Sequence, residues 1–344
     1  MDKNEIRYSR QHLFPPIGKK GQKQLGKSRV AIVGMGALGT ALANHMVRSG
    51  IGYIRIIDRD FVEYSNLQRQ MLFDESDAEQ TLPKSIAAKT KLNLINSSIT
   101  VDAHVTDLTW KNAEELLADV DLILDGSDNF DVRYLINDVA VKHNIPWIYG
   151  GAVSSRGMTT TIIPGKTPCL RCLFPEPPGQ GNIETCDTVG VIGPIIQVVA
   201  AYQATEALKI LLNDYDNLST SLRNFELWYN DYSEINLKNA RNDDCPTCTH
   251  HKYDYLDPEI KRDRFISLCG RDTVQISPAK GGKLNISVLA EKLEKIGQVE
   301  LTPYLLKFAI DDYQLTIFPD GRILVHGTND PVTAKNIYAK YIGN

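Results

Sequence analysis

The sequence predicts an α/β fold in which a doubly wound, mainly parallel sheet is followed by a small C-terminal α+β unit. Three observations carry this expectation. Apolar, strand-length runs alternate with helix-length segments from Arg29 to about Trp147, the βαβα order that builds a parallel sheet with helices on both faces. The first run, VAIVGMGALGTA (Val30 to Ala41), opens into Gly34, Gly36 and Gly39 before a helical stretch. A strand, glycine loop and helix in that order leave N–H groups and a positive dipole end free for an anion. After a polar, aperiodic stretch the pattern changes to short strands and helices, so a boundary is expected there, giving 1–250, a linker at 251–265 and a small domain at 266–344.

Element by element, strands are expected at Val30 to Val33, Ile54 to Asp58, Thr100 to Val105 and Leu122 to Leu124. Helices are expected at Leu38 to Ser49 with Gly50 as its stop, near Lys84 to Ile95, and at Phe130 to His143. Between Gly150 and Pro178 the composition shifts to Gly, Ser, Thr and Pro, and Val189 to Leu212 reads as a buried helix after Pro194. In the small domain, Thr273 to Ile276, Leu305 to Ile310, Tyr313 to Phe318 and Ile323 to Val325 read as strands. Ser287 to Ile296 reads as a helix, and a closing helix starts at Pro331 with Asp330 as its cap.

Bulk properties exclude several classes. The 344 residues are 42% hydrophobic and 23% charged, with a net charge of −4 and scattered Lys and Arg, which gives no electrostatic footprint for nucleic acid or an anionic membrane. The longest apolar run, Val189 to Ala201, is broken by Gly193, Pro194 and Gln197 and falls short of the roughly 20 residues that span a bilayer. The N-terminal MDKNEIRYSRQ has no apolar signal region. A cytoplasmic protein is expected.

The glycine loop, with Asp58 closing the next strand, suits NAD and ATP equally, because both present a ribose and phosphates. The residues after Asp58 discriminate. RDFVEYSNLQRQMLF (Arg59 to Phe73) brings Asn66, Arg69 and Gln70, and Lys84 follows Pro83 at a helix start. An arginine fork and a lysine point charge suit a triphosphate, whereas hydride transfer by an NAD oxidoreductase has no use for such a clamp. Each of these residues alone would read as part of a solvated loop. In LILDGSDNFDVR (Leu122 to Arg133), Asp128 follows a strand on the nucleotide side, a place where a carboxylate holds Mg²⁺ together with substrate phosphates. Asp128 could also cap the helix from Phe130.

RYSRQ (Arg7 to Gln11), GMGALG, DRDFVEYSNLQRQ, LPK, GSDNFDVR, CLRC, TCDTVGVIGP (Thr185 to Pro194) and CPTC occur in this order over about residues 5 to 250. Taken together they resemble the bacterial ubiquitin-activating-enzyme-like adenylyltransferases, the MoeB and ThiF type of molybdopterin and thiazole biosynthesis. The resemblance implies a Rossmann-like sheet with an ATP site. It also implies activation of the C-terminal Gly-Gly carboxylate of a small ubiquitin-like sulfur carrier, of MoaD or ThiS type, as an acyl-adenylate. By the same resemblance Asp58 would hold the ribose, Arg69 and Lys84 the phosphates, and Asp128 the Mg²⁺, with Asn66 and Gln70 lining the pocket. Arg10 would reach across a homodimer interface into the partner's ATP site, and a cysteine desulfurase or other sulfur donor would be a further partner. The sequence departs from the family pattern at Leu82 and Ser127, where Gly and Thr are usual, and the appendage after about residue 255 is absent from shorter members. A module that is held together by zinc and binds a ubiquitin-like partner without catalysis is a third reading.

Four of the six cysteines form two Cys-x-x-Cys pairs, Cys169/Cys172 and Cys245/Cys248. Four thiolates in a tetrahedral Zn²⁺ site are their commonest joint use in a cytosolic protein, and the family resemblance implies the same; paired redox cysteines are the alternative. Cys186, in ETCDTVG, matches the family cysteine that takes up the activated carrier as a thioester or acyl-disulfide, and otherwise is a bystander thiol. Cys269 reads as a buried residue at a strand end.

Overall fold

Five parallel strands form the middle and one side of the first unit's sheet: β1 (Arg29–Val33), β2 (Tyr53–Asp58), β3 (Thr100–Val105), β4 (Leu122–Asp125) and β5 (Trp147–Val153). Three antiparallel strands, β6 (Arg156–Ile162), β7 (Ser221–Glu226) and β8 (Asp231–Asn236), extend it, giving the order β3-β2-β1-β4-β5-β6-β7-β8. The computed structural model describes residues 3–177, 186–259, 265–268, 273–276 and 284–342. It divides into two units, Met1–Cys186 with Gly190–Ile260, and Asp187–Val189 with Lys261–Asn344.

The central strands are buried on both faces, which is why they read as continuous apolar runs. Val30 and Ile32 of β1 enter one core with the helices Ala37–Ser49, Lys84–Ile95 and Gly193–Leu211. Ala31 and Val33 enter a second core with Ala113–Leu117 and Phe130–His143. The chain winds outward from β1 to β2 and β3, then returns to β4 on the other side of β1. Such a reversal opens a crevice at the carboxyl ends of β1 and β4, where α/β sheets bind ligands.

The carboxyl end of β1 is shaped by backbone contact. Gly34 has φ +90°, and a Cβ there would lie 2.7 Å from Gly126 O. A Cβ on Gly39 would lie 1.8 Å from Gly34 O, and one on Gly126 would lie 2.8 Å from Gly39 Cα. These three glycines are therefore required by packing. Gly36 differs, because the nearest atom to a Cβ there is Gln70 Nε2 at 4.0 Å.

Sequence periodicity does not reveal β5 to β8: β5 and β6 fall largely in the Gly150 to Pro178 stretch read only as a shift in composition, and β7 and β8 follow the apolar helix in a stretch with no expected element. β5 and β6 meet through a two-residue Ser154-Ser155 turn, with Ser154 at φ +57°, so the usual Asn-Gly or Asp-Gly signal is missing. The apolar stretch expected as a helix from Val189 is helical over Gly193–Leu211, with Pro194 in its first turn.

The second unit is a six-stranded antiparallel sheet ordered β11-β12-β13-β14-β10-β9. Its strands are β9 (Phe265–Leu268), β10 (Thr273–Ile276), β11 (Gln298–Leu301), β12 (Leu306–Ile310), β13 (Tyr313–Ile317) and β14 (Ile323–His326). The helices Ile286–Leu293 and Pro331–Tyr341 pack on it around a separate core that includes Phe308, Leu315, Val325 and Ile337. Asp330 caps the closing helix, accepting from the backbone N–H groups of Val332 and Thr333. Within the stretch read as a linker, residues near 255 are packed: Tyr255 stacks on Tyr134 with ring centroids 4.8 Å apart, and Asp254 pairs with Arg171 at 2.6 Å.

Gly39→Ala should destabilise the chain by at least about 3 kcal/mol in chemical denaturation, because neither backbone can yield to a Cβ at this distance. Gly36→Ala, with open space around it, should cost no more than about 1 kcal/mol, the loss of a glycine N-cap. Equal effects of the two substitutions would refute this division of the glycines.

Candidate active site and cysteine cluster

Asp58 ends β2 beside the glycine loop. Its Oδ2 accepts from the Met35 N–H at 2.6 Å and its Oδ1 from the Asp60 N–H at 2.6 Å. Burial pushes its pKa up to about 6, against the opposing charge of Lys84. The Lys84 side chain is buried and pairs with Asp60 at 3.4 Å, while its backbone N–H donates to Asp60 O at 2.8 Å. A cation in so dry a place requires an anion. Arg59, next in the chain, is held by Asp107 at 3.0 Å, and the charges of Asp107 and Asp60 outweigh its burial and raise its pKa.

The SNLQRQ segment folds over this point. Asn66 is buried, and its Oδ1 accepts from the Glu63 N–H at 3.1 Å. Its carbonyl accepts from the N–H groups of Arg69 and Gln70, so Asn66 sets the turn that aims both. Arg69 donates to Ser65 O at 2.9 Å. Gln70 is buried beside Gly36, and its Oε1 has no hydrogen-bond partner. A buried acceptor without a donor fits a ligand group that supplies one.

At the end of β4, Asn129 caps the helix Phe130–His143 through the Asp131 N–H at 2.8 Å. The cap is thus Asn129, and Asp128, exposed in the preceding turn, does not serve that purpose. Its charge is felt by Arg59 and Arg133. Spacing alone gives no role to Arg133 and Gln203, yet both are buried at this end of the sheet.

Arg10 stands elsewhere. It is exposed on the short helix Ser9–His12, and the adjacent Gln11 donates to Ser49 O at 2.9 Å. Ser49 ends the helix that begins beside the glycine loop, about 20 Å away at 1.5 Å per residue. Cys186 begins a short helix, Cys186–Val189, but its side chain lies outside the described residues, as does the whole of Cys269.

Cys169, Cys172, Cys245 and Cys248 converge. Their sulfurs all lie within 4.8 Å of one another, with separations of 3.9 Å (Cys169–Cys172), 3.6 Å (Cys169–Cys245) and 3.4 Å (Cys172–Cys248). Four sulfurs at about 2.3 Å from one tetrahedral Zn²⁺ would stand about 3.8 Å apart, so the cluster fits that ion. The helix Phe130–His143 anchors both Cys-x-x-Cys loops. Asn137 Oδ1 accepts from the Leu170 N–H at 2.8 Å, and Asp138 accepts from the Thr247 hydroxyl at 3.1 Å and the Tyr255 N–H at 2.8 Å.

The ThiF family profile matches residues 8–247. This chain belongs to the ThiF family. It is similar to the sulfur carrier protein ThiS adenylyltransferase of Bacillus subtilis, with 45% identity over 98% of this chain and 99% of that one. The sulfur carrier protein adenylyltransferase of Thermus thermophilus shares 36% identity over 70% of this chain and 90% of its own length. Among solved structures, that of E. coli MccB with ATP has a TM-score of 0.61 and 25% identity, covering 70% of this chain and 74% of that chain. Among the described residues, no helix is long and apolar enough to cross a membrane.

Proposed function

We propose that this member of the ThiF family is an ATP-dependent adenylyltransferase that activates the C-terminal Gly-Gly carboxylate of a ubiquitin-like sulfur carrier of the ThiS type. The observation that carries this reading is the set Asp58, Lys84, Gln70 and Asp128, gathered on the segments around an open Gly36. The similarity to the ThiS adenylyltransferase over nearly the full chain supports a carrier of the ThiS type.

In this mechanism the carrier carboxylate attacks the α-phosphorus of ATP and pyrophosphate leaves, so the protein's work is positioning and neutralising charge. Asp58 accepts from the ribose hydroxyls. Lys84 exchanges Asp60 for a phosphate, and Arg69 supplies a second cation. Asn66 holds the turn on which Arg69 and Gln70 sit. Asp128 would hold Mg²⁺, which when bound would supply positive charge to offset that of the phosphates. Arg10, remote from the loop in its own chain, would complete the site of a second copy in a homodimer. The Cys186 thiolate would then displace AMP from the acyl-adenylate, leaving a thioester, and a cysteine desulfurase or other donor would supply sulfur. The four clustered cysteines would bind structural zinc. Trp228 and Tyr229, 68% and 78% exposed in the β7–β8 turn, lie at the same end of the sheet as the carboxyl end of β5 and offer the carrier an aromatic ledge. A cytoplasmic location agrees with this substrate.

Exchange of pyrophosphate into ATP should depend on the carrier and on Mg²⁺, and should vanish when the carrier's last glycine is deleted. Asp128→Asn should lower exchange by a factor of 100 or so, equivalent to about 3 kcal/mol, while carrier binding survives. Cys186→Ser should leave exchange near the parent rate and abolish any covalent carrier adduct. Exchange that needs no carrier, or nicotinamide binding in its place, would overturn the assignment.

ATP affinity should fall as the pH drops through about 6, as Asp58 gains a proton and becomes a weaker acceptor for the ribose hydroxyls. The sign for folding is opposite. The folded chain holds this proton more tightly than the unfolded one, so the same titration favours folding as the pH falls through 6. An affinity that is flat from pH 7.5 to 5 would remove Asp58 from the ribose site.

Metal analysis of protein purified without chelator should find one zinc per chain. Its removal should lower Tm by about 10 °C, because the buried thiols lose the ion that holds the two loops together. Absence of zinc from such preparations would end this assignment.

A further inference from the structure

β4 and β5 are hydrogen-bonded neighbours at only two positions, Ile123↔Trp147 and Leu124↔Ile148. Beyond them, toward the carboxyl ends, a buried polar group stands between the strands. Asp125 accepts from Arg133 Nε at 2.9 Å and from the Gly150 N–H at 3.4 Å through Oδ2. Through Oδ1 it accepts from the Ser127 N–H at 2.9 Å and the Ser127 hydroxyl at 2.6 Å. Arg133 also donates to Ser127 O at 2.7 Å and Gly150 O at 3.0 Å, and its guanidinium lies 5.0 Å from the ring centroids of both Phe130 and Tyr149. From the opposite face, Gln203 donates to Asp125 O at 2.9 Å and Ile148 O at 3.3 Å.

A buried ion pair is poor evidence of stabilisation, since apolar residues of equal volume serve as well or better. What apolar residues cannot do is grip two backbone carbonyls. One of those carbonyls belongs to Ser127, the residue before Asp128, and the loop's other end is fixed by Gly126 against Gly34 and Gly39.

We propose that Asp125, Arg133 and Gln203 form a positioning wedge that sets the Asp128 carboxylate relative to the glycine loop, with Arg133 as its central residue. The proposal rests on the reading of Asp128 as the Mg²⁺ ligand of an ATP site. Arg133 touches no reacting atom; it acts by holding the Ser127 carbonyl. A lysine could neutralise Asp125, but its single nitrogen lacks the planar fork by which Nε meets Asp125 while Nη2 holds the Ser127 and Gly150 carbonyls.

The test is ATP binding by calorimetry, with and without Mg²⁺, on the full-length zinc-loaded protein, alongside carrier-dependent exchange. In the parent, Mg²⁺ should tighten ATP binding. Arg133→Lys should lose at least fivefold of that gain while metal-free ATP affinity stays within twofold, and exchange should show a lowered kcat with an unchanged KM for carrier. Ser127→Ala, which removes one hydroxyl bond to Asp125, should lose part of the gain, and Ser127→Thr should keep it. Should Arg133→Lys fail to fold, the Ser127→Ala and Ser127→Thr pair decides alone. Folded variants with an undiminished Mg²⁺ gain would reduce the wedge to a staple between strands and overturn the proposal. A parent in which Mg²⁺ does not affect ATP binding, by contrast, would overturn the functional reading and this inference with it.

Discussion

At the carboxyl end of β1, three stretches of backbone touch with no side chain between them: the turn at Gly34, the first turn of the helix at Gly39, and the turn at Gly126 after β4. The contact draws the first helix onto the strand and brings the β4 loop against both. Each feature of the candidate site follows from it. The helix N-terminus opens at Gly36, Asp58 reaches the Met35 N–H from the next strand, and Asp128 follows two residues after Gly126. A Cβ at any of the three would part these segments, so the constraint on sequence is set by packing before any ligand is considered.

Three cations around this contact are each paired with a carboxylate, and the two of them that are buried, Lys84 and Arg133, stiffen the site most. Lys84 rests on Asp60, Arg59 on Asp107 and Arg133 on Asp125. The helix Phe130–His143 extends that rigidity. Its first turns carry Arg133, and its later turns carry Asn137 and Asp138, which hold the two Cys-x-x-Cys loops. One helix therefore has the glycine contact at one end and the cysteine cluster along its length, and a disturbance of either is felt by the same rigid element.

How much of this was legible in the sequence depended on burial. The parallel strands β1, β2 and β4 were readable because they are buried along almost their whole length and apolar on both faces, as in VAIV of β1 and LIL of β4. β6 was not, because its threonines are buried and yet polar: Thr159 donates to Tyr149 O, Thr160 to Ser221 O and Thr161 to Glu206. Nor were β8, exposed at every residue and without a regular alternation, and β11, whose alternation of Gln298, Val299, Glu300 and Leu301 lasts only four residues and is almost wholly exposed. Gly34, Gly39, Asp58 and Lys84 could be found because spacing from a strand end locates them. Arg133 and Gln203 could not, since a charged or amide residue in a helix reads as surface until the tertiary contacts are known.

The second unit has its own sheet and its own core, and the residues gathered here into the candidate site and the cysteine cluster lie between Arg10 and Cys248. The family profile ends at residue 247, and the Thermus relative is 90% covered by a match spanning 70% of this chain, which leaves it little room for a further unit of this size. The Bacillus relative, matched over 99% of its length, spans both units. Independent cores permit this difference, because an appendage that buries its own apolar surface can be joined after the Cys245/Cys248 loop without repacking the sheet that carries the glycine contact. The adenylation chemistry proposed here therefore draws on the first unit alone.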